Sequence, residues 1–338
     1  MALIASSTMS EYQINLEWTI AEDRLKDMKD SINNEYLESE EFIAFYSSGV
    51  EYFLKIYPNG NNEGCRGKTK IFLHMKLGNA KKIEAEYKIS FKFAEWSRKF
   101  NYTFEKSEGR GISCCTVAEL FDPNKKFLVD GKFTFKVEGI LLIEHEESKW
   151  KRKLLQPKRT TTQGLRDLWN TDFKDFTIIS DGKEINVHKN VLACQSTVFA
   201  AMLKPHTKEA IKNKVEIFDF AFDIVEKGIK LCYKQILVSD CSVEKSLLLL
   251  KFNDKYDIKV VKVENLEEYL GDQITVENVC EISKCAGETN ALKLQNKCMD
   301  FLVLFLSKKE DMPNMEFLEK TVLITAIKNS SCRKCQTL

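Results

Sequence analysis

Residues 175–199 read DFTIISDGKEINVHKNVLACQSTVF, and this stretch decides the fold of the second half of the chain. Phe176–Ser180 is rich in strand-forming residues. Asp181-Gly182 is a two-residue turn that joins antiparallel strands, so we expect Glu184–Val187 to pair back onto the first strand. After these strands the apolar residues take up helical spacing, at Val191, Leu192, Val198, Phe199 and Met202. The stretch therefore predicts a strand pair followed by helices.

The rest of this half continues the same mixed pattern. Val215–Ile217 predicts a short strand, and helical spacing returns at Ile224–Cys232. Two further helices are predicted over residues 247–256 and 260–270, and the tail from Thr275 continues in helices. We therefore predict an α/β domain over residues 165–271 and a helical extension over residues 272–330.

The first part of the chain, residues 11–145, alternates apolar and polar residues as strands do. The clearest runs are Ile14–Trp18, Val50–Ile56, Ile71–Met75, Tyr87–Phe91 and Phe133–Val137. Turn residues such as Pro58-Asn59-Gly60 separate them, which is typical of an antiparallel sandwich or barrel. Residues 113–122 fit either a strand or a helical turn. The two halves together predict an α+β multidomain protein.

The composition excludes several classes of protein. The chain has 338 residues with 51 basic and 50 acidic side chains, and a net charge of +1 does not fit a strongly basic nucleic-acid-binding protein. The sequence contains no apolar run of about 18 residues, so it predicts no membrane-spanning helix. Met1–Ser10 lacks the basic region of a signal peptide. Eleven cysteines without an export signal indicate reduced thiols, so we expect a protein of the nucleus and/or cytoplasm.

A basic connector over residues 146–164 separates the two halves. It contains six lysines and arginines, with Pro157 to break any helix and a polar run over residues 160–164. One interpretation of this segment is a basic patch that binds a nuclear importer or an anionic surface. The other is a solvated linker.

The sequence shows no catalytic constellation. The four histidines do not form a His-Glu-x-x-His motif, and there is no phosphate-binding loop or nucleophile elbow. Cys332 and Cys335 have the spacing of a metal-binding pair, but no second pair exists, and we expect little order so close to the terminus. We predict no catalytic residues, no metal and no cofactor, which favours a binding protein over an enzyme.

Two stretches resemble known domains. The strand pair followed by His188-Lys189, Leu192-Ala193, Ser196 and Phe199 resembles the BTB (POZ) domain. In the first half, Ser47–Gly49 with Tyr57–Gly60, and Leu128–Thr134, resemble the MATH domain, an antiparallel sandwich. MATH at 11–145, a linker at 146–164, BTB at 165–271 and a BACK-like helical extension at 272–330 is the architecture of the speckle-type POZ proteins.

The resemblance implies a substrate adaptor. In this family the MATH domain binds short peptide motifs on substrate proteins, while the BTB domain forms a homodimer and binds cullin-3, so that a RING ligase ubiquitinates the substrate. The chain itself would then have no active site. The alternative is a dimeric BTB scaffold or transcription-associated protein that does not bind cullin.

The resemblance also assigns a cullin contact, with one departure. The family motif is an apolar residue, any residue and then Glu, and it falls on Thr207-Lys208-Glu209. A threonine therefore stands where the apolar anchor is expected. A buried apolar side chain contributes about 1.5–3 kcal/mol, so its loss would weaken cullin binding about tenfold or more. Leu203 is a candidate replacement.

The remaining site residues also come from the resemblance. The peptide shelf of the MATH domain carries an aromatic-Gly-aromatic set, and Arg110-Gly111-Ile112 stands there. This predicts a peptide with acidic groups facing Arg110, or no peptide. The candidates for the dimer interface are Leu165, Leu168, Trp169, Asp175 and Lys189. The alternative for Trp169 is burial inside the protomer, and the alternative for Asp175 and Lys189 is a solvated charged pair. We expect His188 to tie the helix start to the sheet by a hydrogen bond.

Overall fold

The computed structural model describes residues 7–146, 163–233, 242–258, 263–309 and 311–337. Residues 147–162 of the basic connector lie outside this range, so the two interpretations of the connector stay predictions. None of the described helices is long and apolar enough to cross a membrane.

The described strands and helices are as follows. The strands are β1 Ser7–Ala21, β2 Leu37–Glu38, β3 Phe42–Phe45, β4 Val50–Tyr57, β5 Lys68–Lys76, β6 Lys82–Phe91, β7 Trp96–Phe104, β8 Glu108–Thr116, β9 Leu128–Val129, β10 Lys132–Glu146, β11 Phe176–Ser180, β12 Lys183–Val187, β13 Lys214–Glu216 and β14 Arg333–Thr337. The helices are α1 Glu22–Lys26, α2 Val117–Leu120, α3 Gln163–Leu168, α4 Lys189–Gln195, α5 Thr197–Met202, α6 Lys208–Lys212, α7 Phe222–Cys232, α8 Val243–Lys255, α9 Val263–Asp272, α10 Val279–Glu288, α11 Leu292–Ser307 and α12 Lys320–Ser330.

The chain divides into two compact units. The first contains residues 1–147 together with 299–311 and 320–338, and the second contains residues 148–298 and 312–319. The first unit therefore recruits segments from the end of the chain, which the local sequence pattern does not predict.

The first unit is a sandwich of two sheets. One sheet has the order β14-β1-β10-β6-β7, and the other has the order β2-β4-β5-β8. Alternation along β4 buries Val50, Tyr52, Leu54 and Ile56, because successive side chains of a strand point to opposite faces. The Tyr12 ring of β1 lies 6.3 Å from that of Tyr52, so these side chains meet between the two sheets. The predicted antiparallel sandwich is confirmed.

Residues 113–122, for which the sequence fitted either a strand or a helical turn, contain the end of a strand and a short helix. Strand β8 runs to Thr116, and α2 begins at the next residue. The Thr116 hydroxyl accepts a hydrogen bond from the Glu119 backbone N–H, and the Glu119 carboxylate accepts one from the Thr116 backbone N–H. This reciprocal cap starts the helix exactly where the strand ends its pairing.

The second unit combines a three-stranded sheet with helices. The sheet has the order β12-β11-β13, with β13 parallel to β11. Asp181 and Gly182 have φ values of 49° and 70°, the left-handed geometry that a tight hairpin requires. The buried residues of β11, β12, α4 and α5 form one core with those of α7 and α8. The predicted α/β arrangement is confirmed.

Candidate peptide groove and partner-binding surface

Strand β8 carries Arg110, Gly111 and Ile112 at the edge of its sheet. It pairs with β5 on one side and ends the sheet order, so its other side has no strand neighbour among the described elements. An open edge of this kind offers backbone N–H and C=O groups to an extended peptide. The structure thus brings the three predicted groove residues to a place where strand addition is possible.

Aromatic side chains from the facing sheet surround Arg110. Its guanidinium lies 4.4 Å from the ring centre of Tyr102 on β7. The Tyr102 hydroxyl donates to the Glu108 carboxylate at 2.8 Å, and this hydrogen bond raises the pKa of Tyr102. The Tyr87 hydroxyl of β6 donates to the Arg110 carbonyl at 3.2 Å. The groove therefore combines a cation held on an aromatic face with a neighbouring carboxylate.

Tyr87, which is only 2% exposed, is a core residue that lies next to this groove. Its ring stacks on Phe100 of β7 with the ring centres 4.8 Å apart, and burial raises its pKa well above the usual value. The sequence comparison of β8 alone indicated that the aromatic residues of the family shelf are absent. Both shelf positions of β8 remain without an aromatic residue, and the structure adds that β6 and β7 place aromatic residues beside Arg110. The alternation of Phe100, Tyr102 and Phe104 was the signal that could have revealed them.

Gly111 is required by the close approach of β5. A Cβ atom at this position would lie 2.0 Å from the Ile71 carbonyl oxygen and 2.7 Å from the Phe72 Cα. Both are backbone atoms that cannot move without displacing the strand. Ile112 is half-buried and lies opposite Ile71 in the β5–β8 register. The glycine thus keeps β8 close to β5, whatever ligand the groove binds.

Thr207 of the predicted cullin contact has a structural role. It is the N-cap of α6, and its hydroxyl accepts a hydrogen bond from the Ala210 backbone N–H at 3.2 Å. The same hydroxyl lies within hydrogen-bond distance of the Met202 carbonyl and 2.8 Å from the Lys204 carbonyl. A polar residue is therefore favoured at this position by the local backbone.

Other apolar side chains are available near the motif. Leu203 packs partly against the core of the second unit, so only part of its side-chain surface is exposed to a partner. Glu209 is half-buried in the first turn of α6. Ile211 of α6 is 70% exposed, and Phe218, two residues after β13, is 83% exposed. The sequence analysis did not identify these two residues as candidates for the partner contact, because spacing does not show which side chains are exposed.

The residues predicted for the dimer interface have different exposures. Leu165 and Trp169 pack against the protomer's own core, and the Trp169 ring meets the Tyr233 ring edge-on at 5.1 Å. Leu168 is 36% exposed. Phe173, in the loop that follows, is 94% exposed with a left-handed φ of 69°, a conformation that is uncommon for a bulky residue. Leu168 and Phe173 are thus the side chains this region presents to a partner.

Asp175 and Lys189 do not form a side-chain ion pair within the described protomer. The Asp175 carboxylate accepts a hydrogen bond from the Lys189 backbone N–H at 2.8 Å. The Lys189 ammonium donates to the Asn213 side-chain oxygen instead. Asp175 therefore satisfies an otherwise unpaired N–H at the start of α4, which is where a carboxylate is favoured.

His188 has a structural hydrogen-bonding role, but its partners differ from the sheet contact we expected. Its Nε2 lies 3.2 Å from the Asp172 carbonyl, which can only accept, so Nε2 carries the proton. Its Nδ1 then accepts from the Tyr233 hydroxyl at 3.0 Å, while that oxygen accepts from the His188 backbone N–H at 2.7 Å. The ring ties the start of α4 to the end of α7 and to the loop before β11.

The described residues offer no site for a metal ion. No group of three or more His, Cys, Asp or Glu side chains converges within them. Cys335 is buried on β14, while Cys332 lies just before the strand and is partly exposed. The expectation of little order at this terminus is wrong, because β14 pairs with β1 over Leu16–Ile20.

Comparison with known proteins agrees with this geometry. A family model described as the MATH domain matches residues 15–138, and one described as the BTB/POZ domain matches residues 165–273. The mouse TD and POZ domain-containing protein 3 is 24% identical over 314 residues, covering 86% of this chain and 84% of the mouse protein. Protein maternal effect lethal 26 of Caenorhabditis elegans is 26% identical over 282 residues, covering 80% of this chain and 69% of the worm protein. The mouse TD and POZ domain-containing protein 2 is 22% identical over 284 residues, with 80% and 78% covered. The chain therefore belongs to the family of proteins that join a MATH domain to a BTB domain.

Proposed function

We propose that this protein is a substrate adaptor of a cullin-3 RING ubiquitin ligase. One observation carries the proposal: a single chain joins a MATH domain with an open strand edge to a BTB domain in which Ile211 and Phe218, shortly after Thr207–Glu209 in the sequence, are exposed. The first feature suits an extended substrate peptide, and the second suits a protein partner. The adaptor would act in the nucleus or the cytoplasm as a homodimer, and it would not itself be an enzyme.

The MATH domain supplies substrate recognition in this proposal. A peptide strand added to β8 would run past Arg110, whose guanidinium is exposed and fixed on Tyr102. A carboxylate or phosphate group on the peptide would pair with this cation. We therefore propose extended peptides with an acidic group as the substrate class.

The BTB domain supplies the ligase contact. Thr207 caps α6 and cannot provide the apolar anchor of the family motif, so we propose that Ile211 and Phe218 provide the apolar area around Glu209. Full burial of one such side chain contributes about 1.5–3 kcal/mol, which is enough to compensate for the missing anchor.

The substrate arm can be tested with a library of extended eight-residue peptides. The library carries one acidic residue at each position in turn, with a neutral amide as the matched control. We expect the full-length protein to prefer some acidic peptides over their amide counterparts, and the Arg110→Gln variant to lose this preference. Equal binding of acidic and amide peptides would contradict the proposed substrate class.

A second candidate is a dimeric BTB scaffold that does not bind cullin. The observation that favours it is the hydroxyl of Thr207, which is committed to capping α6 and adds no apolar surface. The two candidates differ in one property, the direct binding of cullin-3 by the BTB domain.

A further inference from the structure

The last described strand of the chain is an added strand on the MATH domain. Strand β14 lies at the end of its sheet and pairs in parallel with Leu16–Ile20 of β1. Its sequence, RKCQT, has a single β-branched residue, Thr337, and no aromatic residue, so its intrinsic preference for a strand is weak. The edge of β1 and the side chains beneath it must therefore supply the stability of β14.

Arg333 is the anchor of this added strand. Its side chain is largely buried, with the residue 9% exposed. One Nη donates to the Tyr12 hydroxyl at 2.8 Å and to the Ile43 carbonyl at 2.9 Å. The guanidinium also lies 5.1 Å from the Phe42 ring centre and 5.7 Å from that of Tyr52. Two aromatic faces and two neutral oxygens thus surround one side of the guanidinium, while its buried Nε has no hydrogen-bond partner among the described residues.

The other residues of β14 follow the alternation of a recognised strand. Cys335 is 4% exposed, and the Thr337 hydroxyl accepts a hydrogen bond from the Trp18 indole N–H at 3.0 Å. Lys334, which lies between Arg333 and Cys335, points outward with 72% of its side chain exposed. Strand addition with alternate side chains read by pockets is a general mode of peptide recognition.

We propose that the edge of β1 and the Tyr12–Phe42–Tyr52 pocket form a second peptide-binding site of the MATH domain, one that reads an arginine in an extended peptide. We call it the β1-edge site. It is separate from the groove at β8, because β1 belongs to the other sheet and β5 lies between β8 and the strand β4 that carries Tyr52. The chain's own segment 331–337 is the resident ligand of this site.

Tethering determines how the β1-edge site responds to other ligands. A covalently attached strand has an effective concentration that a free peptide must overcome, which typically changes apparent affinity by about 10²–10⁴-fold. Free peptides of the class Arg-x-Cys-x-Thr should therefore bind weakly to the intact chain and much more tightly once the segment is removed.

The test uses a fluorescent peptide of residues 331–338 and two forms of the protein, the intact chain and a chain ending at Ser330. Fluorescence anisotropy should show binding to the truncated chain that is at least about 100-fold tighter than binding to the intact chain. The peptide with Arg333→Ala should bind the truncated chain at least about tenfold more weakly, since it lacks the guanidinium. The peptide with Gln336→Ala is the matched control, because Gln336 is exposed, and its affinity should not change.

Three results would overturn the proposal. They are equal binding of the peptide to both chains, equal affinity of the Arg333→Ala and wild-type peptides, and absence of binding to a folded truncated chain. If the truncated chain does not fold, the intact chain with Arg333→Ala replaces it, because its tail keeps every residue except the anchor. The Arg333→Ala chain should bind the wild-type peptide more tightly than the wild-type chain does. Equal or weaker binding would again contradict the β1-edge site.

Discussion

At position 207, a hydroxyl group caps a helix where the proposed cullin contact would need an apolar side chain. The hydroxyl satisfies the Ala210 backbone N–H at the start of α6 and contacts the Lys204 carbonyl in the preceding turn. An apolar side chain would leave that N–H without its cap. Threonine at this position therefore stabilises the start of α6 but offers little apolar surface to a partner.

Replacing Thr207 by Met separates these two roles. We expect Thr207→Met to bind cullin-3 about tenfold more tightly, because the added side chain contributes about 1.5–3 kcal/mol when it is buried. The same change should lower the stability of the protein by about 1 kcal/mol, through loss of the cap. Calorimetric titration and urea denaturation measure the two effects.

Thr207→Ser is the control for this substitution. It keeps the hydroxyl and adds no apolar surface, so both cullin affinity and stability should stay close to the wild type. If Thr207→Met leaves cullin affinity unchanged, the motif has been placed on the wrong residue.

Asp300 is a buried carboxylate of the first unit whose ionisation affects stability. It accepts hydrogen bonds from the backbone N–H groups of Tyr46 at 2.6 Å and Ser47 at 2.9 Å. Burial nevertheless dominates and raises the pKa of Asp300 from 3.8 to about 6. The folded protein therefore holds this proton over a pH range in which the unfolded chain has lost it.

The pH dependence of unfolding follows from this shift. The proton on Asp300 stabilises the folded state fully below about pH 4, and this contribution, about 3 kcal/mol at most, is lost as the pH rises through about 6. The Asp300→Asn variant should lack this loss. Urea denaturation of both proteins between pH 4 and pH 7 measures the difference, with Asp30→Asn on the surface as control. Parallel pH profiles for wild type and Asp300→Asn would contradict the assignment.

Among the elements, the strands with one buried face were predictable and the sheet edges were not. The alternation of β1, β4 and β5 shows directly in the sequence, because every second residue enters the core. Strand β14 carries no such pattern. The Trp18–Thr337 hydrogen bond joins residues 319 positions apart, so only tertiary contact reveals that strand.

The same limit applies to the candidate site. The position of Arg110 and Gly111 followed from a resemblance to the family motif. The contact of Arg110 with Tyr102 crosses from one sheet to the other, and local spacing does not encode contacts between sheets. The exposure of Ile211 and Phe218 depends likewise on which face the core leaves uncovered.

Strand β8 depends on Gly111 for its distance from β5. We expect Gly111→Ala to destabilise the protein by about 1–3 kcal/mol, because the new Cβ would overlap backbone atoms of β5. The substitution should also reduce peptide binding at the β8 edge. Urea denaturation and peptide anisotropy test these two effects.

Gly164→Ala is the matched control for this prediction. A Cβ at Gly164 meets no atom within 4 Å, and the position lies in helix α3, where alanine is favoured by up to about 1 kcal/mol. Its stability should stay equal or rise. A Gly111→Ala protein as stable as the wild type would show that β8 can move away from β5 at little cost.

For the whole molecule, the order of domains was predictable because each has its own sequence pattern. The strand pair and helices around residues 175–199 indicated the BTB domain, and the alternating strands indicated the MATH domain. The recruitment of residues 299–311 and 320–338 into the first unit was not predictable, since it depends on contacts between the two ends of the chain.

The proposed homodimer gives a prediction at this scale. We expect Leu168→Arg to convert the dimer to a monomer, because the substitution places a charge on an apolar side chain that the protomer itself leaves partly exposed. Leu292→Arg, at a second exposed leucine, is the control and should remain dimeric. Light scattering coupled to size-exclusion chromatography measures both masses. A dimeric Leu168→Arg protein would contradict the placement of the interface.

The most direct test of the adaptor proposal is calorimetric titration of the purified, full-length dimer with the N-terminal domain of cullin-3. We expect sub-micromolar affinity, corresponding to about −8 kcal/mol or more favourable, with two cullin domains per dimer. Phe218→Ala should weaken that binding. If a folded dimer shows no heat of binding at tens of micromolar, the adaptor proposal is contradicted, and the protein is a dimeric BTB scaffold.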